Sequence, residues 1–145
     1  MEIEIKLDGP GGVIGNLRRR SSMDREKSAC RFLLVEDEIL LVLMIEDMLL
    51  EFCCDAVASA STAEQAIKLI ESEHFDAALL DVNLHGEKSD RVADALVAHQ
   101  IPFIFCTGTS LVEVAQRFRD HPFLRKPFGC EDLVKAVAKL LAKAH

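Results

Sequence analysis

A chain of 145 residues, half of them apolar, is long enough to bury one core, so a single folded unit is expected. Its 24 acidic against 17 basic residues leave a net charge of −7, which argues against nucleic acid as the main partner and favours proteins and metal cations. No apolar run reaches the roughly 18 residues of a membrane span, and Met1 to Lys6 alternates acidic with apolar residues rather than forming a signal sequence, so a cytoplasmic protein is expected.

Residues 1 to 28 carry Gly9-Pro10-Gly11-Gly12, three arginines at 18–20 and two serines, a composition with little to bury. They read as a loose extension ahead of a domain spanning 29–145, with Met23 available as an alternative start. From Cys30 the pattern switches regularly between short apolar runs and amphipathic helices. A strand at 31–36 is followed by a strongly apolar helix from about 38 to 51. Asp55 to Ala60 reads as the second strand, and Ser61-Thr62-Ala63-Glu64 as a capping box opening a helix that ends near Ser72. Asp76 to Asp81 is the third strand, Ser89 to Ala98 the third helix, and Pro102 to Cys106 the fourth strand. A second capping box, Ser110-Leu111-Val112-Glu113, with Leu111, Val114, Ala115 and Phe118 on one stripe, predicts a short fourth helix. A brief strand, Phe123 to Arg125, then leads to a last helix with Leu133, Ala136, Val137, Leu140 and Leu141 inward. Five βα repeats imply a parallel sheet covered on both faces, a flavodoxin-like doubly wound α/β fold with strand order 2-1-3-4-5.

In such sheets function sits beyond the carboxyl ends of the strands. Glu36 and Asp37 end the first strand, Asp81 the third and Thr107 the fourth, while Lys126 follows the fifth. Three carboxylates at neighbouring strand ends repel one another, which calls for a divalent cation with oxygen ligands, and Mg²⁺ suits a site that reserves a position for a phosphate oxygen. Asp81 is then the candidate nucleophile toward a phosphoryl group, Lys126 the mobile positive charge, and Thr107 a hydroxyl donor, with Gly108 leaving room for the incoming group. Each element alone has a bland reading, as helix cap, turn or acidic first turn; their conjunction, in order and each after an apolar run, does not. The five cysteines, at 30, 53, 54, 106 and 130, form no C-x-x-C pair and read as reduced core thiols. The histidines, His85 among them, read as surface or loop residues.

From about Cys30 onward the chain resembles the receiver domain of two-component response regulators. Leu34-Val35-Glu36-Asp37-Glu38 is similar to the family's acidic strand end, Leu80-Asp81-Val82-Asn83-Leu84 to its phosphoacceptor segment, Thr107 to its switch hydroxyl and Lys126-Pro127-Phe128 to its lysine loop. The resemblance implies that Asp37 and Asp81 bind Mg²⁺ directly, Glu36 through water and Asn83 through its backbone carbonyl, with Phe123 as switch aromatic. Pro102-Phe103-Ile104-Phe105-Cys106-Thr107-Gly108 also resembles the Pro-Phe-x-Phe-Ala-Thr-Gly segment of a subgroup of single-domain receivers that work with atypical histidine kinases. Cys106 departs from that subgroup's alanine, and His85 from the proline usual in the family.

The resemblance implies a stand-alone receiver. It would take a phosphoryl group from a sensor histidine kinase or phosphotransfer protein and catalyse only its own phosphotransfer and dephosphorylation. It would then dock on a target protein or drain phosphate from the kinase. Two rivals come from other classes. A Mg²⁺-dependent phosphohydrolase of the haloacid dehalogenase type wants an acid two positions after the nucleophile, where this chain has Asn83. A flavodoxin-like cofactor module wants a phosphate cradle after the first strand, where Glu36-Asp37-Glu38 would repel phosphate.

Overall fold

The computed structural model describes residues 4–7, 16–19, 30–108 and 114–144. In chain order these form β1 (Glu4–Leu7), β2 (Asn16–Arg19), β3 (Arg31–Val35), α1 (Ile39–Phe52), β4 (Ala56–Ala60), α2 (Ala63–Ser72) and β5 (Ala77–Asp81). After them come β6 (Asn83–Leu84), β7 (Glu87–Lys88), α3 (Asp90–Ala98), β8 (Phe103–Thr107), a 3-10 turn (Gln116–Phe118), β9 (Phe123–Arg125) and α4 (Cys130–Ala144).

Strands β4-β3-β5-β8-β9 run parallel in that order, which is the expected 2-1-3-4-5 sheet. Because successive strand residues point to opposite faces, the apolar runs divide between two cores. Leu33, Val35, Leu80, Phe103 and Phe105 pack with Leu69 of α2 and Leu96 of α3. Phe32, Leu34, Leu79 and Ile104 pack with Leu49 of α1 and Leu133 and Val137 of α4 on the other face. The inward stripe expected for the last helix is therefore in place.

Three local expectations are corrected. Within the stretch expected to be loose, β1 and β2 pair antiparallel, and β2 runs antiparallel along β4, so the sheet has seven strands. A hairpin there covers the backbone that β4 would otherwise leave open at the sheet edge; the remainder of 1–28 lies outside the described residues. The first capping box sits one residue later than expected: Thr62 caps α2 by accepting from the Gln65 N–H at 3.1 Å, and Gln65 Oε1 accepts from the Ser61 N–H at 2.9 Å. Between β8 and β9 the described residues contain the 3-10 turn and no α-helix, since Ala115 is extended (φ −56°, ψ 142°) directly before it. Val114 and Phe118 are nonetheless buried, as their apolar character requires, while Ser110 to Glu113 lie outside the described residues.

Candidate functional site

The carboxyl ends of β3, β5, β8 and β9 meet at one mouth. Glu36 follows β3 and is held there by its own N–H donating to Ala60 O at 3.0 Å; its Oε2 accepts from the Glu38 N–H at 3.0 Å. Asp81 closes β5, opposite Cys106 of β8, and its Oδ1 accepts from the Asn83 N–H at 3.2 Å. Both acids are buried, at 2% and 8% exposure. Buried carboxylates need compensation, and Lys126 supplies it: its Nζ stands 2.8 Å from Glu36 Oε1 and 3.1 Å from Asp81 Oδ2. Main chain fixes this lysine's origin, since the Lys126 N–H donates to Thr107 O at 2.9 Å, and the following Lys126–Pro127 peptide is cis. Thr107 is buried at the end of β8, and Gly108, beside the Lys126 stem, has no Cβ to narrow the mouth.

Asp37 is the more exposed acid of the three. Its Oδ2 accepts from the His85 N–H at 2.8 Å, and the His85 ring nitrogen Nδ1 stands 3.7 Å from the same oxygen. His85 and Gly86 join β6 to β7, with φ of 50° and 83° and Leu84 paired to Glu87. Positive φ at both central residues is the signature of the tight two-residue hairpin turn. Composition read His85 only as a surface or loop residue, since strands of two residues carry no periodicity that would mark the turn.

Electrostatics follow from this packing. Burial chiefly, with the Asp81 charge beside it, pushes Glu36 up to about 7 against the hydrogen bonds from Lys126 and the Glu38 amide. Burial would lower Lys126, but its bonds to Glu36 and Asp81 outweigh that and raise it. Burial, the largest single influence, would raise Asp37, but the hydrogen bonds from the His85 amide, the Glu36 side chain and its own backbone together outweigh it and hold this carboxyl low. Burial pushes the Cys106 thiol up to about 12, so it is no thiolate nucleophile.

One oxygen each of Glu36, Asp37 and Asp81 lies within 4.8 Å of the others. With Glu36, Asp37 and Asp81 all ionised against the one Lys126 ammonium the site would carry two negative charges, and the donors are all hard oxygens, so the residues fit a hard divalent cation. Every residue singled out from the sequence except Phe123 falls on this mouth or its rim. Phe123 of β9 stands behind it, half-buried and stacked on Phe105 with ring centroids 5.4 Å apart.

The model of the response regulator receiver domain matches residues 32–138. The solution structure of SdrG from Sphingomonas melonis Fr1 is 47% identical and has a TM-score of 0.70, covering 79% of this chain and 98% of that one. The BeF3-activated conformation of SdrG from Pseudomonas melonis Fr1 is 42% identical over the same shares, with a TM-score of 0.65. The receiver domain of the sensor histidine kinase PA1611 from Pseudomonas aeruginosa PAO1, solved with magnesium in its active site cleft, is 24% identical with a TM-score of 0.66 and covers 79% of this chain and 99% of that one; it shares the fold. No curated protein matches. The matched span takes in the five parallel strands, all three acids of the mouth and the lysine that bridges two of them, and on that ground the chain belongs to the response regulator receiver domain family.

Proposed function

We propose that Asp81 accepts a phosphoryl group from the histidine of a sensor kinase or phosphotransfer protein. The observation that carries this reading is the Lys126 ammonium joined to a buried strand-end aspartate and its acidic neighbour. An Asp81 carboxylate oxygen attacks phosphorus; the P–O bond forms as the donor's P–N bond breaks, and the electron pair leaves with the histidine nitrogen. Lys126 then exchanges a carboxylate partner for a phosphoryl oxygen. The Thr107 hydroxyl, one residue past the β8 partner of Asp81, donates to another, and Gly108 leaves the approach open. Asp37 and Asp81 would hold Mg²⁺ directly, Glu36 through water and Asn83 by its backbone carbonyl, and the ion would offset the charge that builds on the phosphoryl oxygens.

The protein catalyses this transfer onto itself and the later hydrolysis, and turns over no separate substrate. Readout runs through β9. Drawing Thr107 and Lys126 toward a phosphoryl group alters the packing of Phe123 on Phe105, and with a phenylalanine that change rests on packing alone. The adjoining groove between β9 and α4, with Leu124, Phe128 and Leu140 along it and Lys135 and Lys139 on its rim, is the face offered to a target protein. Draining phosphate from the kinase is the alternative outcome of the same chemistry. No described helix is long and apolar enough to cross a membrane, and the cytoplasm is the compartment proposed.

Incubation with Mg²⁺ and acetyl phosphate, followed by mass analysis, tests the reading. A Mg²⁺-dependent phosphoryl adduct is expected on the wild type and absent from Asp81→Asn; an adduct that persists in the variant moves the acceptor elsewhere.

A further inference from the structure

His85 opens the β6–β7 turn in a conformation, and with a hydrogen bond, that the proline implied there by the family resemblance could not supply. Proline fixes φ near −65° and has no N–H. At this position φ is 50°, and the N–H donates to Asp37 Oδ2 at 2.8 Å. Neither property is available to proline. We infer that the His85 backbone amide, presented by the β6–β7 hairpin, is a positioning group that orients the Asp37 carboxylate for a divalent cation.

The local chain is built to hold that amide in place. Leu84 is buried and pairs with Glu87, which closes a two-residue turn, and Gly86 takes its left-handed conformation with open space around it. The base of the hairpin is pinned as well: the Ser89 N–H and Oγ both donate to Val82 O at 3.0 Å. With Oδ2 committed to the amide, the Asp37 carboxylate is restrained about its Cβ–Cγ bond while it remains within ligand distance of Glu36 and Asp81. Ligating carboxylates are commonly held by such outer hydrogen bonds, and loss of one typically lowers metal affinity 10–100-fold. The imidazole is not the device. It is 60% exposed, and its Nδ1 lies 3.7 Å from the acid, beyond hydrogen-bond range.

This inference rests on the metal-assisted receiver reading, and calorimetric titration with Mg²⁺ separates the two. His85→Pro, which removes the N–H and cannot adopt the turn, should weaken Mg²⁺ binding by about 10–100-fold. His85→Gly, which keeps the N–H and favours positive φ, should bind close to wild type. Equal binding by wild type and His85→Pro overturns the inference alone, as does a loss in His85→Gly matching that in His85→Pro, which would assign the effect to the imidazole. Failure of the wild type to take up Mg²⁺ overturns both readings. Should His85→Pro not fold, amide exchange in the wild type decides: a His85 N–H protected with and without Mg²⁺ upholds the inference, and protection lost on adding Mg²⁺ overturns it.

Discussion

Lys126 reaches from the end of β9 to within 2.8 Å of Glu36 Oε1 at the end of β3, so a side chain from the edge strand ties into the acid of the sheet's second parallel strand. This bond does more than pair charges, because Glu36 is almost wholly buried and Lys126 mostly so. Removing one partner of such a pair leaves the other without compensation.

Lys126→Met should therefore lower stability in metal-free buffer by about 1–3 kcal/mol, the scale of an unsatisfied buried group. Added Mg²⁺ should recover most of the loss by taking over the carboxylates. Urea unfolding with and without Mg²⁺ measures both; a variant as stable as wild type in chelator would show that the pair contributes nothing.

The raised Glu36 carboxyl predicts a pH dependence with a definite sign. The folded state binds this proton up to about pH 7 and the unfolded state only to about 4.5, so between those values the folded state carries the extra proton. Its contribution is fully present below the unfolded value and is lost as pH rises to 7. The loss should be on the order of 3 kcal/mol in chelator, and Glu36→Gln should flatten the profile. Asp37, held low, contributes in the opposite sense, but only as pH falls below its ordinary value of 3.8, outside this window. Stability of the metal-free wild type that climbs from pH 5 to 7 relative to Glu36→Gln would contradict the assignment.

Phe123 shares a stacked contact with Phe105 and no hydrogen bond of its ring is available. Phe123→Ala should cost about 2–3 kcal/mol, less than a fully buried phenylalanine because the ring is only half-buried. Acetyl phosphate labelling of Asp81 should survive in the same variant, since β9 still delivers Lys126. Loss of labelling in a folded Phe123→Ala protein would place the ring within the chemistry.

A chain beginning at Met23 lacks β1 and β2 and leaves the β4 edge uncovered. It should keep the five-stranded unit and its labelling, lose about 1 kcal/mol or less, and self-associate more readily at high concentration. Size-exclusion chromatography beside a melting curve checks this; loss of folding would make the hairpin integral to the domain.

Much of this was legible in the sequence for a simple reason. The three central parallel strands, β3, β5 and β8, are buried on both faces, so Phe32 to Val35, Ala77 to Leu80 and Phe103 to Cys106 stand out as unbroken apolar runs, and whatever follows them must lie at the mouth. The acids and Thr107 were readable from that rule; Lys126 follows the short, partly exposed β9 and was readable from its place as the next strand end in order. The hairpin at His85-Gly86 was not, because its strands are two residues each and carry no periodicity. Nor was the break at Ala115: Val114 and Phe118 fit a helical stripe, but tertiary burial against Phe103 and Phe105 holds them without one. At the other end, the alternation Glu4-Ile5-Lys6-Leu7 has the period of a strand, but nothing local says that β2 will lie along β4.

Cys106 lies beside Asp81 in the sheet, 1% exposed and with its proton held to about pH 12. Peroxides and electrophiles react with thiolates, and this sulfur offers almost none at neutral pH. Oxidative stress would therefore leave the residue beside Asp81 unmodified, and the acidic mouth would keep its shape and charge.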